Sequence, residues 1–404
     1  MSNWEWKKLQ DVSIQYGEYG LSVPSTTFDG VRYLRITDIT DEGNLNDESV
    51  SADIETIDDF YKLQNGDILF ARTGATVGKT FVYEDKYGEC VFAGYLIRYR
   101  PNQKLILPRF LFYVTHSPKY YEWIKSNQKT AAQPNISAKL YNALLVPVPP
   151  LAEQKRIVKT LDEKFSKIDK LKNAAETNLK NAREIFNAEL KSKLNVENEN
   201  LPQGWELKNL GDVCSFKNGF AFQSKLFRTN GFPIIRISNI QSDGIDFDNM
   251  VYFNPLDYKV DFEKYKVFPN DILIAMSGGT TGKIGVNRTN EIFYLNQRVG
   301  AFRENEKRLD HWFLYYFLKT KSKESLEISA GSAQPNLSTE QINNFQIPLP
   351  PLSEQKRIVA HLDKFSEKVK RLEEIYRRTV ADCEELKKSI LKKTFEGDSR
   401  SSRE

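Results

Sequence analysis

The chain contains one long segment written twice. Three pairs of matching stretches mark the repeat: WEWKKLQDV at 4–12 with WELKNLGDV at 205–213, AQPNIS at 132–137 with AQPNLS at 333–338, and PPLAEQKRIV at 149–158 with PPLSEQKRIV at 350–359. The offset is constant, since 205 − 4, 333 − 132 and 350 − 149 all equal 201. Solenoid repeats are much shorter, about 20–45 residues, so the pattern predicts two large pseudo-symmetric domains.

The two copies differ most in their middles. Residues 26–65 and 225–270 share only short islands, such as Arg35-Ile36 with Arg236-Ile237. Matching ends indicate a common scaffold. Diverging middles indicate that something carried on that scaffold differs between the two copies.

The first part of each copy, residues 1–150 and 202–349, has the pattern of a mixed α/β domain. In the first copy, β-rich runs at 31–36, 67–71 and 95–99 are separated by stretches rich in Gly, Asn and Asp. A helical stretch is predicted at 108–125, and its second copy at 310–327. We therefore predict an α+β fold with two such domains.

The second part of each copy is predicted to be one long helix, at 151–195 and at 350–396. Neither Pro nor Gly occurs from Leu151 to Leu194, and apolar residues recur three or four apart. The first stripe is Val158, Leu161, Phe165, Ile168, Leu171, Ala175, Leu179, Ala182, Phe186 and Leu190; the second is Val359, Leu362, Phe365, Val369, Leu372, Tyr376, Val380, Cys383, Leu386 and Ile390.

Helices of some forty residues extend for about 65 Å and must bury their stripes. The favoured partner is the other copy, which predicts an intramolecular antiparallel coiled coil. The alternative is that each helix packs on its own globular domain. A polar linker is predicted at 196–201 and a frayed tail at 397–404.

Composition excludes several classes of protein. The 404 residues carry a formal net charge of +4, which is too small to identify a nucleic-acid binder by itself. Cys90, Cys214 and Cys383 are isolated, and the three histidines lack metal-ligand spacing, so no disulfide framework or metal site is predicted. The sequence shows no secretion segment and no apolar run long enough for a bilayer, so we expect a cytoplasmic protein that does not bind membranes.

Two glycine-rich segments, GATVGKT at 74–80 and GGTTGKI at 278–284, look like nucleotide-binding loops. Each has three residues between its glycines where that motif needs four. Two interpretations that can hold together are a tight hairpin turn, with glycine at positive φ, and a turn that offers backbone N–H groups and a lysine to DNA phosphates. NPLDY at 254–258 departs from the Asn-Pro-Pro-aromatic motif of amino-methyltransferases. We predict no catalytic residues, cofactor or metal.

Candidate DNA contacts are side chains that suit base edges or phosphates. Arginine and lysine suit guanine, and asparagine and glutamine suit adenine. The candidates are Arg72, Thr73, Thr76, Lys79, Arg98 and Arg100 in the first domain, and Ser277, Thr280, Lys283, Asn296, Gln297 and Arg298 in the second. Gln133, Asn135, Gln334 and Asn336 recur identically in both copies, so we interpret them as architectural.

The motifs at 132–137 and 149–154 with their second copies, together with NGDIL at 65–69 leading to Thr73-Gly74, resemble those of the specificity subunits of type I restriction–modification systems. The resemblance covers the whole chain. It implies that each globular part is a target recognition domain for one half of a split double-stranded DNA site, and that the helices hold the two in inverted orientation and set the gap.

The resemblance also implies partners. Two modification subunits carrying S-adenosylmethionine would dock on the helical region, and two restriction subunits would add ATP-driven translocation and cleavage. S-adenosylmethionine, ATP and Mg are then expected on the partner subunits only.

Three alternatives stay open at this stage. The first is the recognition subunit of a related two-subunit system in which methyltransferase and nuclease are fused. The second is a self-sufficient methyltransferase or ATPase, which would bind S-adenosylmethionine or ATP as an isolated chain. The third is a coiled-coil scaffold, which would not bind DNA even with its partners present.

Overall fold

A computed structural model describes residues 4–128, 134–194, 201–241, 244–330 and 336–396. The predicted tail at 397–404, the predicted linker apart from Leu201, and Gln133 and Gln334 lie outside the described residues. The chain divides into two compact units, residues 1–176 with 377–404 and residues 177–376. Each unit includes one globular part and a stretch of both long helices, whereas the sequence-based division set each helix apart.

The described residues of the first unit form ten strands. They are β1 (Glu5–Lys8), β2 (Glu18–Tyr19), β3 (Ser25–Thr27), β4 (Arg32–Leu34), β5 (Val50–Ala52), β6 (Ile68–Ala71), β7 (Thr80–Val82), β8 (Cys90–Phe92), β9 (Leu96–Tyr99) and β10 (Leu145–Val148). Four form an antiparallel sheet in the order β2-β9-β6-β7, while β1 pairs with β10, β3 with β5, and β4 runs parallel to β8.

The second unit repeats this arrangement, with twelve strands in the ranges that the structure describes. They are β11 (Glu206–Asn209), β12 (Cys214–Asn218), β13 (Phe232–Ile235), β14 (Ile240–Gln241), β15 (Gly244–Ile245), β16 (Val251–Phe253), β17 (Lys266–Val267), β18 (Ile272–Ala275), β19 (Ile284–Val286), β20 (Phe293–Leu295), β21 (Val299–Glu304) and β22 (Gln346–Leu349). The sheet β12-β21-β18-β19 matches β2-β9-β6-β7, β11 pairs with β22, and β13 runs parallel to β20 as β4 does to β8.

The central strand of each main sheet is buried on both faces. In β6, Ile68 and Phe70 pack into one hydrophobic cluster, and Leu69 and Ala71 pack into another. The residues of β18 alternate between two clusters in the same way. Because side chains alternate across a strand, a sheet covered on both faces requires the unbroken apolar runs ILFA and ILIA.

Eight α-helices in the described part of the chain complete the two units. They are α1 (Pro108–Val114), α2 (Pro118–Asn127), α3 (Ala138–Asn142), α4 (Leu151–Leu194), α5 (His311–Thr320), α6 (Ser322–Ala330), α7 (Thr339–Asn343) and α8 (Leu352–Glu396). The helical stretch predicted at 108–125 contains two helices, α1 and α2, which residues 115–117 separate. Ser117 caps α2 by accepting a hydrogen bond from the Tyr120 N–H, and Pro118 occupies its first turn.

The first turn of each long helix contains a buried glutamine. The Gln154 amide donates to the carbonyls of Leu105 and Pro149 and accepts from the Leu107 N–H, each at 2.8 Å. Gln355 makes the same three bonds in the second unit, and both side chains are 0% exposed. The glutamine of each PPLxEQ motif therefore attaches a long helix to the loop that precedes α1 or α5.

The long helices pair in antiparallel fashion within each unit. In the first unit, Lys172 on α4 forms an ion pair with Glu384 on α8 at 2.9 Å, and Asp169, earlier on α4, contacts Lys387, later on α8. In the second unit, the Phe186 ring stacks on the Phe365 ring with centroids 6.3 Å apart. The antiparallel coiled coil predicted from the sequence is confirmed.

The apolar stripes are only partly buried against each other. Leu161 of α4 packs in one core with Phe110 of its own globular part, as the alternative interpretation proposed, whereas Leu391 of α8 joins this core from the helix of the other copy. Leu171 and Leu386, which belong to the predicted stripes, are at least half exposed. Within the described ranges, none of the helices combines the length and apolar character needed to cross a bilayer.

Candidate nucleic-acid interface

The glycine-rich segment of the first domain is a hairpin turn between β6 and β7. Residues Gly74–Thr76 form a short 3₁₀ turn, and the Gly78 N–H donates to Ala71 O at 3.0 Å. Gly74 and Gly78 have φ of +71° and +91°, a region that strongly favours glycine. A strand follows this turn, whereas a helix follows a nucleotide-binding loop, which supports the interpretation as a hairpin turn.

The second domain builds the same turn between β18 and β19. Gly278 and Gly282 have φ of +71° and +80°, and the Gly282 N–H donates to Ala275 O at 2.8 Å. A Cβ at residue 282 would lie 2.5 Å from Ser322 O, so α6 also excludes a side chain here.

A second turn lies beside each glycine-rich turn. In the first domain it consists of residues 93–95 and connects β8 to β9, which is a strand of the main sheet. In the second domain it consists of residues 296–298 and connects β20 to β21. The Arg72 N–H donates to Tyr95 O at 3.0 Å, and the Met276 N–H donates to Arg298 O at 2.9 Å. The two turns are thus held together by equivalent backbone hydrogen bonds in both domains.

A third segment, the end of each AQPN motif, completes the arrangement. The Ile136 N–H donates to Arg72 O and the Leu337 N–H donates to Met276 O, both at 2.8 Å. Asn135 forms an isolated antiparallel β-bridge with Thr73, and Asn336 forms one with Ser277. We call these three hydrogen-bonded segments the three-segment frame. Because its backbone bonds recur in both domains, side chains that differ between the two frames are the candidates for distinguishing DNA sequences.

The second frame presents three of the predicted contacts in one turn. Gln297 and Arg298 are exposed, and Asn296 is half-buried. The Arg298 Nη1 donates to the Asn336 side-chain oxygen at 2.8 Å, and its other N–H groups have no acceptor among the described residues. Ser277 is 2% exposed, so it offers little beyond its backbone.

The two predicted lysines differ in their surroundings. Lys79 is held by Asp41, with its Nζ 2.8 Å from the carboxylate, and by Ile39 O at 3.3 Å. No carboxylate among the described residues lies within ion-pair distance of the half-buried Lys283. The hydroxyls of Thr76 and Thr280 both turn back on their own loop, onto the carbonyls of Thr73 and Ser277. Lys283 is therefore the better placed of the two lysines for a phosphate.

Two predicted contacts have structural roles instead. Arg98 is 2% exposed, its guanidinium pairs with Glu18 at 2.6 Å, and it donates to Lys62 O. Arg100 binds buried Asp67 through two bonds of 2.8 and 3.0 Å. We remove both arginines from the candidate interface, because their donors are already used inside the domain.

Two exposed tyrosines at the first frame are not among the contacts predicted from the sequence. Tyr95 is 61% exposed on the second turn, and Tyr19 is 41% exposed at the end of β2. The Arg72 guanidinium lies over the Tyr19 ring, 4.8 Å from its centroid. The available signal was an aromatic residue beside glycine, in Glu18-Tyr19-Gly20 and Gly94-Tyr95.

Cys90, Cys214 and His116 are not part of either frame. Burial raises the pKa of Cys90 to about 11 and that of Cys214 to about 12. Burial lowers the pKa of His116 to about 4. In the part of the chain that the structure describes, no group of three or more His, Cys, Asp and Glu side chains is placed to hold a metal ion.

Comparisons with known proteins agree on one family. The model of the type I restriction modification DNA specificity domain matches residues 1–181 and 202–377. The type I restriction enzyme MjaVIII specificity subunit of Methanocaldococcus jannaschii is 29% identical over 353 residues, which cover 84% of this chain and 80% of that protein. The type I restriction enzyme EcoKI specificity subunit of Escherichia coli K12 is 25% identical over 356 residues, covering 83% and 75%.

Solved structures share the fold. A chain from work on the "complex assembly and conformational transition of the type I R-M system" has a TM-score of 0.79 and 23% identity, covering 98% of this chain and 99% of that one. The HsdS subunit from Thermoanaerobacter tengcongensis has a TM-score of 0.56 and 23% identity, covering 98% and 97%.

Proposed function

Because the chain belongs to the family of type I restriction–modification DNA specificity domains, we propose that residues 1–150 and 202–349 are two target recognition domains, each binding one half of a bipartite DNA site. The protein is the DNA-recognition component of such a system and is not an enzyme. One observation carries the assignment of two separate readers. The three-segment frame occurs twice with equivalent backbone hydrogen bonds but different side chains.

The proposed contacts divide by their chemistry. Lys283 and the glycine-rich turns would contact phosphates, which fix register without reading sequence. Asn296, Gln297 and Arg298 would contact base edges in the second half-site, since amides suit adenine and arginine suits guanine. Four further candidates are kept as proposed contacts of the phosphate backbone: Thr73, Thr76, Lys79 and Thr280.

The partners follow from the family. Specificity subunits of type I systems act with DNA, modification subunits and restriction subunits. We propose two modification and two restriction subunits per chain. Their docking region would be the helices at 151–195 and 350–396, and S-adenosylmethionine, ATP and Mg would bind those partners. Because its substrate would be the cell's DNA, the assembly would work in the cytoplasm.

The test compares methylation with and without this chain. The modification subunit encoded with it is expressed in a host lacking other DNA methyltransferases, and methylated sites are mapped by sequencing. We expect one bipartite motif when the chain is present and none when it is absent. The same methylation pattern without the chain would contradict the proposal. Binding of S-adenosylmethionine or ATP by the isolated chain would instead support the self-sufficient enzyme.

A further inference from the structure

Arg72 stands apart from the other arginines of its unit. Six of the seven arginines in residues 4–176 have an acceptor: Arg32 binds the carbonyls of Asn46 and Glu48, Arg35 pairs with Asp38, Arg98 with Glu18, Arg100 with Asp67, Arg109 with Asp162 and Arg156 with Glu153. Among the described residues, Arg72 has no hydrogen-bond acceptor for its guanidinium, and its Nε is buried without a partner. Leaving a buried donor unpaired costs free energy, so the site is not built to satisfy this arginine internally.

The guanidinium of Arg72 packs over an aromatic ring. The guanidinium lies over the Tyr19 ring at 4.8 Å, and the Tyr19 hydroxyl in turn accepts a hydrogen bond from the Ala138 N–H at 3.0 Å. Stacking on an aromatic face leaves the edge of the guanidinium, with its fork of N–H donors, free for a planar acceptor pair. The half-buried Arg72 side chain is therefore oriented before any ligand binds.

The second domain does not repeat this arrangement. The frame position that holds Arg72 holds Met276 in the second domain, and Met276 is 8% exposed. A phosphate contact that fixed register would be needed in both domains. A side chain that changes from a stacked arginine to a buried methionine on the same backbone frame is instead typical of a position that distinguishes sequences.

We infer that Arg72, stacked on Tyr19, reads a guanine in the half-site bound by the first domain, by donating two hydrogen bonds to its O6 and N7. Guanine offers these two acceptors side by side in the major groove, and a bidentate arginine is their usual partner. This inference rests on the proposed function. It adds the reading residue of the first domain, the positioning role of Tyr19, and the base that is read.

The first test changes the DNA and leaves the protein intact. The full chain, assembled with its modification subunit, is titrated with duplexes carrying 7-deazaguanine, which lacks the N7 acceptor, at each guanine of the first half-site in turn. We expect the wild-type complex to bind about tenfold more weakly when one particular guanine is replaced. If no guanine of that half-site responds, the inference is wrong.

The second test changes the protein. In Arg72→Ala, binding should discriminate about 10- to 100-fold less at that guanine, and 7-deazaguanine there should have no further effect. Tyr19→Leu should lower discrimination at the same position, whereas Tyr19→Phe, the matched control, keeps the ring and should retain it. All three variants should keep the base preferences of the wild-type complex at the second half-site.

The possible failures are distinguishable. Arg72→Ala could instead weaken binding equally on all sequences and lower the slope of log K against log salt by about 0.9, the value for one phosphate contact. In that case Arg72 binds a phosphate and the inference is overturned. The two-reader proposal survives that result, because the complex still selects its bipartite site. In these binding experiments, a wild-type complex that selects no site is the result that would contradict the proposed function itself.

Discussion

The buried glutamine at the start of each long helix allows a quantitative prediction. Gln154 is 0% exposed and makes three hydrogen bonds of 2.8 Å to backbone groups of its own unit. Methionine has a similar length and no polar atoms to meet these groups. The substitution Gln154→Met therefore leaves one N–H and two carbonyls unpaired, at a net cost of about 1 kcal/mol for each lost bond.

We expect Gln154→Met to lower the free energy of unfolding of the first unit by about 3 kcal/mol. Gln154→Glu should cost more at neutral pH, because a carboxylate has no proton for the carbonyls of Leu105 and Pro149 and would bring a charge into a dry site. The loss for Gln154→Glu should shrink at low pH, where the protonated carboxyl regains one donor.

The assay is urea unfolding. Hydrogen exchange, measured by mass spectrometry on peptides from α1 and α5, reports the urea midpoint of each unit. With a urea dependence of about 3 kcal/mol per molar, the α1 midpoint should fall by about 1 M. Lys155→Met, a change at the exposed neighbouring residue, should cost under about 0.5 kcal/mol. Gln355→Met should affect α5 more than α1. If Gln154→Met and Lys155→Met have the same α1 midpoint, the reasoning is refuted.

Two further predictions concern charge. Lys283→Ala should weaken binding to all DNA sequences and lower the slope of log K against log salt by about 0.9. The matched change Lys79→Ala should lower this slope less, because Asp41 already neutralises Lys79. Equal slopes for the two variants would contradict this prediction. Burial lowers the pKa of His116 to about 4, so only the unfolded chain takes up its proton as pH falls below about 6.5. The free energy of unfolding of the first unit should thus drop by about 2 kcal/mol from pH 7 to pH 5. Urea unfolding at the two pH values measures this drop, which should be absent in His116→Gln. An equal drop in the variant would exclude His116 as its source.

Features with regular spacing could be predicted from the sequence. The repeat predicted two similar domains, and the Pro- and Gly-free stripes predicted the long helices, because spacing along one chain reports directly on which side of a helix is apolar. Helix limits also follow from local chemistry. The break that separates α1 from α2 was nonetheless missed, although Ser117-Pro118 carries the signal of a new helix start.

The candidate interface depended more on distant partners. Arg98 could not be recognised as buried, because Glu18, which neutralises it, lies 80 residues away in the sequence. Lys79 and Lys283 occupy equivalent turns in the sequence, yet Asp41 on another loop distinguishes them. Local pattern thus located the turns correctly, while tertiary contacts decide which of their side chains are available.

The central claim is that each globular part reads its own half of the DNA site. The most direct test exchanges residues 202–349 for the equivalent region of a relative, expresses the hybrid with the modification subunit, and maps methylated sites by sequencing. The account predicts that one half-site changes to that of the donor, while the half-site read by residues 1–150 is kept. If both half-sites change together, or if neither changes in a hybrid that still directs methylation, the claim is contradicted.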